Sequence, residues 1–282
     1  MRETSHFQYV VCEMLFLHAK LFVLRGDLLY NAIRACRCES CRKVTERNVR
    51  LMNEIIRKRR SVRKYEKTQL DSTMLDKISE KIKTLTPLHS DVECHVEIVD
   101  KTKGIFNIKA PHYLVFLGEK NERSYENAGF IGQQMDLFFS ENGIGACWLG
   151  VAKPDEKPDG NDRCIISMSF GLPAEPLYRE ASKFKRKALS EISEGVDARL
   201  EAARLAPSGM NRQNWFFIAD EGKIHCYFKK PGPLMESMLK RLCCIDLGIA
   251  IYHIAAESEN FSFSKLEDAP VKRGFTYAGT VL

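Results

Sequence analysis

Two distant segments carry side chains suited to holding a ligand. The first, Arg59-Arg60-Ser61-Val62-Arg63, packs three guanidinium groups around one hydroxyl. Guanidinium forks match phosphate oxygens in geometry and charge, and a serine adds one more donor. Taken alone, the string also suits a solvated basic helix end. The second, Pro207-Ser208-Gly209-Met210-Asn211-Arg212-Gln213-Asn214-Trp215, follows Ala206 in the last third of the chain. Its Pro and Gly impose a tight path, and Ser208, Asn211 and Gln213 supply donors and acceptors together. Such a set fits the polar edge of a flat heterocycle. It also fits a helix-to-strand turn that satisfies its own side chains.

Two further stretches bear on the same chemistry. In Gly145-Ala146-Cys147-Trp148-Leu149-Gly150, small residues let the backbone approach a planar ring, while Trp148 can fill a core. Cys147 reads as a packed thiol, because no histidine stands near enough to suggest a nucleophilic pair. The run Lys183-Phe184-Lys185-Arg186-Lys187 follows Gly171-Leu172-Pro173-Ala174-Glu175-Pro176 and reads as a solvated face or as a second clamp on a phosphate. Neither G-x-x-x-x-G-K-[ST] nor G-x-G-x-x-G occurs, which argues against a Rossmann dinucleotide site. A phosphate clamp together with a ring-edge loop makes flavin mononucleotide the best fit.

These segments must be carried by a fold of 282 residues, 44% of them hydrophobic and 28% charged, as in an ordinary soluble globular chain. The net charge of +6 is unevenly placed: residues 1–64 hold 15 Lys and Arg against 6 Asp and Glu, so the remainder is slightly acidic. That distribution predicts local anion binding and no nucleic-acid partner. The 10 cysteines form no disulfide framework, which predicts a reducing cytoplasm. The apolar stretch from Phe7 to Leu24 is broken by Glu13, His18 and Lys20, so neither a signal peptide nor a membrane association is expected. Residues 1–51 lack a clear period and read as an extension outside the fold. Met52 is the expected natural start, and the trio Cys36, Cys38 and Cys41 lacks the fourth ligand of a metal site.

Periodicity then places the elements. A helix from Met52 leads into the arginine string, and Leu75, Ile78, Ile82 and Leu85 mark the next helix. Cys94–Val99 and His112–Leu117 read as strands, Glu126–Glu141 as an amphipathic helix, Lys153–Asp162 as a loop and Ile165–Phe170 as a buried strand. The later chain repeats this order: a helix over Val196–Leu205, strands over Trp215–Ala219 and Ile224–Phe228, and a helix marked by Leu242, Ile245, Ile249 and Tyr252. The repetition predicts two similar α+β halves burying their apolar faces against each other.

From about Met52 onward the set resembles the nitroreductase superfamily of FMN-dependent oxidoreductases. Arg59, Arg60, Ser61 and Arg63 match its R-[RH]-S-x-[RK] string, and Gly143–Gly150 matches G-x-G-x-C-W-x-G. Gly171–Glu175 matches G-x-P-x-E ahead of Lys185 and Arg186. Pro207–Trp215 matches P-S-x-x-N-x-Q-P-W, with Asn214 in place of the proline. In the common layout the last string follows the first closely. Here Leu85-Thr86-Pro87-Leu88-His89-Ser90 stands in that place, as in the subfamily of TM nitroreductase-like proteins with two fused halves.

The resemblance implies a nitroreductase-like α+β fold forming an internal pseudo-dimer. Each half has a mainly antiparallel sheet and helices: residues 52–190 form the first half and 191–282 the second. It implies one FMN held by Arg59, Arg60, Ser61, Arg63, Trp148, Leu149, Gly150, Lys185, Arg186, Pro207, Ser208, Asn211 and Gln213, with Arg63 as the cation at the ring's N1/O2 edge. The flavin would pass a hydride from NAD(P)H to an electron-poor small molecule such as a nitroaromatic or quinone, so no catalytic side chain and no metal are expected. The fused halves make a monomer self-sufficient and leave a homodimer open. The same fold also serves other flavin reactions, such as dehydrogenation or dehalogenation, and non-enzymatic flavin-binding or redox-sensing proteins.

Overall fold

The computed structural model describes residues 54–156, 163–232 and 236–282. The expected extension over residues 1–51, the start at Met52 and the cysteine trio lie outside them. Two sheets sandwich a pair of long helices. The first sheet takes β1 (His95–Val99), β3 (His112–Leu117), β6 (Cys164–Gly171) and β4 (Gly145–Leu149) in that spatial order, all antiparallel. In the second, β8 (Trp215–Asp220), β9 (Lys223–Lys229), β11 (Phe275–Val281) and β10 (Phe263–Ser264) follow the same first-second-fourth-third order. β7 (Ser193–Glu194) adds a parallel edge to β8, and β2 (Thr102–Lys103) pairs with β5 (Lys153–Pro154) apart from both sheets.

Helix α1 covers residues 54–58, and α2 spans Ser72–Lys83, capped by Asp71, whose side chain accepts from Met74 N at 2.8 Å. The long pair is α3 (Glu122–Glu141) and α6 (Glu236–Glu257). Between them come the short α4 (Leu189–Ile192) and α5 (Leu200–Leu205). Among the described residues no helix is long and apolar enough to cross a membrane.

Helix α3 starts one turn before the expected Glu126, because Asn121 caps it by accepting from Ser124 N at 2.9 Å. It is buried nearly all round, so its polar residues need partners. Asn127 binds His89 N at 2.8 Å and Val92 O at 2.9 Å, Glu126 meets His89 at 2.7 Å, and Gln134 binds Thr86 O at 2.7 Å. The expected helix over Val196–Leu205 is reduced to Leu200–Leu205. Gly195 turns left-handed at φ 77°, and Asp197 accepts from Arg199 N at 2.8 Å, closing a turn instead. The expected loop after Lys153 begins with the short β5, and residues 157–162 lie outside the described chain.

The two long helices cross where each lacks a side chain. A Cβ on Gly129 would lie 2.1 Å from Ile245 O, and a Cβ on Gly248 would lie 2.1 Å from Glu126 O. The contact is reciprocal: each glycine faces a carbonyl three residues before the other glycine. Gly129→Ala and Gly248→Ala must therefore push backbone from backbone. Each should cost roughly 3 kcal/mol or more in urea denaturation, at the upper end of overpacking effects, whereas Gly143→Ala should create no clash and strain only its own positive φ.

Candidate functional site

The arginine string emerges from α1 and runs along the open edge of β4. Ser61 bridges Ala146, and Val62 N donates to Ala146 O at 2.9 Å. This approach needs a glycine opposite, since a Cβ on Gly145 would lie 2.7 Å from the Val62 side chain. Farther on, Glu66 N donates to Leu172 O and Ala174 N to Lys64 O, both at 2.9 Å, which brings Glu175 under the string. Glu175 accepts from Arg60 Nη2 at 2.8 Å and from Arg63 N at 2.6 Å. Partial burial opposes its ionisation, but the Arg63 N–H and the Arg60 charge outweigh it and hold this carboxyl below the usual range.

Arg59 is 1% exposed and turns inward. Its Nε lies 2.8 Å from Asp136 Oδ2 but off the line of the N–H, so the contact is an ion pair without an aligned hydrogen bond. Asp136 also receives Gln133 Nε2 at 3.0 Å, and its carboxyl is pushed up by burial, with Arg59 and Gln133 opposing. Gln133 Nε2 lies 3.1 Å from His253 Nε2, and His253 Nδ1 lies 2.8 Å from Ala202 O, so the buried imidazole donates through Nδ1. Burial holds it neutral, with its pKa down to about 3, and the charges of Arg59 and Arg186 add to that.

Arg179 and Arg186 complete the cluster. Their guanidinium carbons sit 3.7 and 5.6 Å from the centre of the Phe184 ring. Burial followed by Arg59, Arg60 and Arg63 lowers Arg179 to about 10. Burial followed by Arg179, Arg59 and Arg204 lowers Arg186 to about 9. Arg59 Nη1, Arg179 Nε and Arg186 Nε are buried and meet no protein acceptor. Arg59, Arg60, Arg63, Arg179 and Arg186 thus repel one another with two carboxylates, Asp136 and Glu175, in direct contact. Unmet donors and mutual repulsion are what a doubly charged, phosphate-like anion would relieve.

Arg186 also joins the cluster to the second segment. Its Nη1 donates to Asn211 Oδ1 at 2.5 Å and its Nη2 to Leu205 O at 3.1 Å. Asn211 Nδ2 donates to Lys185 O at 2.7 Å, and Gln213 Oε1 accepts from Lys187 N at 2.8 Å. The loop itself is bent by three left-handed non-glycine residues, Met210 (φ 52°), Asn211 (57°) and Gln213 (50°). Such strain persists because the loop is stitched on both sides. Ser208 Oγ accepts from Gln213 N at 3.0 Å, and Gly209 N donates to Asp246 Oδ1 at 2.9 Å.

The expected residues therefore divide. Arg59, Arg60, Ser61, Arg63, Arg186 and Asn211 come together, and Lys185 stands exposed beside them. Gln213 and Ser208 use their side-chain atoms inside the loop, and Pro207 is buried beneath it. The Trp148 ring faces α3, 5.8 Å from Phe116 between centroids, where a Cβ on Gly132 would touch it at 2.3 Å. Leu149 packs on the other sheet face with Tyr113 and Ala152. What β4 offers outward is backbone. Ala146 O is taken by Val62, and strand alternation turns Trp148 to the same edge; past the end of the strand, Gly150 O accepts Arg241 Nη2 at 2.8 Å. Cys147 is a packed thiol pushed up by burial against the lowering of Arg63 and Arg59.

Sequence reasoning missed Asp136, Arg179, Asp246 and His253. Asp136 and Asp246 could have been suspected as charges at core-facing helix positions. Asp246 is fully enclosed by α6 and the loop, and burial pushes its carboxyl up to about 7 against the Gly209 N–H and Arg212. A carboxyl that holds its proton more tightly folded than unfolded supports the fold fully below about pH 4, and that support fades as pH rises towards 7. Asp246→Asn keeps the acceptor for Gly209 and removes the titration. Urea denaturation should show its advantage over the parent growing from about pH 4 to 7 and levelling above, by on the order of 1 kcal/mol per pH unit at steepest.

No curated protein matches the chain. Among solved structures, a "putative nitroreductase" of Thermotoga maritima is 20% identical, with 82% of this chain and 91% of that one covered at a TM-score of 0.57. An FMN-dependent nitroreductase of Clostridium difficile is also 20% identical, over 48% of this chain and 96% of its own, at a TM-score of 0.38. The first of these shows a shared fold. The family described as "Putative TM nitroreductase" matches residues 51–258, and with most of its length so matched the chain belongs to the TM nitroreductase family.

Proposed function

We propose that the chain binds one FMN and works as an oxidoreductase of nitroreductase type. The observation that carries this reading is the arginine cluster, whose buried donors lack acceptors and which is completed by groups from both ends of the fold. Arg59, Arg60, Ser61, Arg63, Lys185 and Arg186, joined by Arg179, would hold the phosphate. The outward backbone of Trp148, with Leu149 and Gly150 following it, would meet the ring edge. Pro207, Ser208, Asn211 and Gln213 would close the opposite side, with Ser208 and Gln213 acting by the shape of the loop. Arg63, exposed and tied at its own N–H to Glu175, is the cation for the electron-rich ring edge.

When bound, FMN supplies the hydride chemistry, accepting two electrons from NAD(P)H and passing them to an electron-poor small molecule such as a nitroaromatic or quinone. The chain's own part is binding, orientation and charge. Cys147, raised by burial, offers no thiolate to compete.

Residues 52–190 and 191–282 would be two halves of an internal pseudo-dimer, following residues 1–51. Matching strand order in the two sheets and the reciprocal glycine crossing support that reading. One complete arginine cluster among the described residues then supports one flavin per chain. The free thiols of Cys94, Cys147, Cys164, Cys226, Cys243 and Cys244 fit a reducing cytoplasm.

The freshly purified protein should absorb in the visible at one FMN per chain, and NADH or NADPH should bleach it in stopped flow. Arg63→Ala and Arg186→Ala should each weaken FMN by roughly 10- to 100-fold in fluorescence titration, as for lost charged hydrogen bonds. Two flavins per chain, or no reduction by either nicotinamide, would defeat the proposal.

A further inference from the structure

Strand β4 leaves its sheet at Leu149. Its ladder with β6 runs from Gly145 opposite Gly171 to Leu149 opposite Ser167. Bonded pairs of an antiparallel ladder recur every second residue, so Val151 opposite Ile165 would come next. The register stops short of that pair, and Arg241 of α6 stands in the gap. Its Nη1 donates to Ile165 O at 2.5 Å and its Nη2 to Gly150 O at 2.8 Å. Both acceptors are neutral, and no ion pair ties Arg241 to a carboxylate among the described residues. Leu242, the next residue of α6, packs at the same glycine, 3.5 Å from where a Cβ on Gly150 would lie.

The wedge fixes the direction of one peptide group. No peptide bond is cis among the described residues, so the Val151 N–H points opposite to the Gly150 carbonyl. That carbonyl faces Arg241 and β6. The Val151 N–H therefore faces away from β6, towards the open edge where Trp148 turns its backbone. It meets no acceptor among the described residues, and Val151 is 41% exposed, so a ligand can reach it. The same stretch of α6 also holds the opposite loop. Asn214 Nδ2 lies 3.6 Å from Cys243 Sγ, and Gly209 N donates to Asp246. Residues 241–246 thus grip both walls of the candidate site.

We infer that Arg241 is a positioning residue, which by holding Gly150 O turns the Val151 N–H to the ring edge of the bound flavin. The inference rests on the flavin reading above and deepens it: the Gly150 carbonyl is taken by Arg241, and its peptide offers the ring a donor. A guanidinium on the carbonyl also polarises the amide and strengthens that donor. A donor fixed at the ring edge favours the electron-rich reduced flavin over the oxidised form, and so raises the reduction potential.

The midpoint potential of the FMN-loaded full chain, read by equilibrium titration against a reference dye, tests this. Arg241→Met should lower the two-electron potential by about 30 mV, a tenfold loss of preference for reduced over oxidised FMN. Val151→Pro, which deletes the N–H itself, should lower it as far, and the double variant no further. Arg241→Lys keeps the charge but cannot span both carbonyls, and should shift the potential in the same direction. An unchanged potential in Arg241→Met, a parental potential in Arg241→Lys, or additive shifts in the double variant would each overturn the assignment. Should Arg241→Met lose FMN, Arg241→Lys and Val151→Pro decide by the same criteria. A parent chain that binds no FMN would sink the flavin reading and this inference together, whereas a loaded chain whose potential ignores Arg241 sinks this inference alone.

Discussion

Everything in this molecule is arranged around the place where α3 and α6 touch. Two helices normally stay 8–10 Å apart because side chains keep them so. At Gly129 and Gly248 nothing intervenes, and each backbone lies against a carbonyl of the other. That closeness buries α3 almost completely and forces its polar residues to find partners outside the helix. Asn127, Gln134 and Glu126 find them in residues 86–92, whereas Asp136 finds Arg59. The crossing therefore decides which loops are anchored and where the first arginine sits.

The Arg59–Asp136 pair follows from that constraint, and its energetics are not those of a simple staple. Two ionic groups, each 1% exposed, lose hydration worth several kcal/mol per ion, and attraction repays it only when the remaining donors and acceptors are met. Here Asp136 Oδ1 and Arg59 Nη1 are unmet by protein. A well-packed apolar pair would stabilise the chain at least as well. What the ion pair provides is position: it holds a cation under Ser61 at the edge of β4, beside Arg179 and Arg186.

Residue types and spacing announced the parts of this site that depend on charge and on small size. The arginine string and the basic run ending the first half were legible as groups of cations, each also readable as a solvated face, and Gly145 as a place of close approach, though to a ring and not to the Val62 side chain that fills it. Directions were not legible. Trp148 could face a ligand or the core, and only Gly132 on α3, which leaves room for its ring, turns it inward. Gln213 could reach outward or fold back, and the left-handed turn at its own φ sends it to Lys187 N. Local geometry also overrode periodicity at Gly195, where a left-handed turn shortened the helix expected from Val196. The strand Phe275–Val281 escaped because a bulge between Tyr277 and Gly279 breaks its alternation. Asp136 and Asp246 escaped because a lone carboxylate on a helix reads as a solvated face until its neighbours are known.

The cluster's charge would couple the fold to an anion bound there. Arg179 and Arg186 are lowered to about 10 and 9, so their ionised forms are disfavoured by burial and by the neighbouring arginines. A site built this way stores unfavourable electrostatic energy that a phosphate-like dianion would release on binding. Binding of that kind stabilises the folded chain in proportion to the logarithm of ligand over Kd. The consequence is spread widely, because Arg186 also holds Asn211 and Leu205, and through Asn211 the strained loop. Relief at the arginines would thus be felt by the loop that faces them. Anion affinity and loop order would therefore be one equilibrium, set by the charge that α3 and Glu175 leave unbalanced.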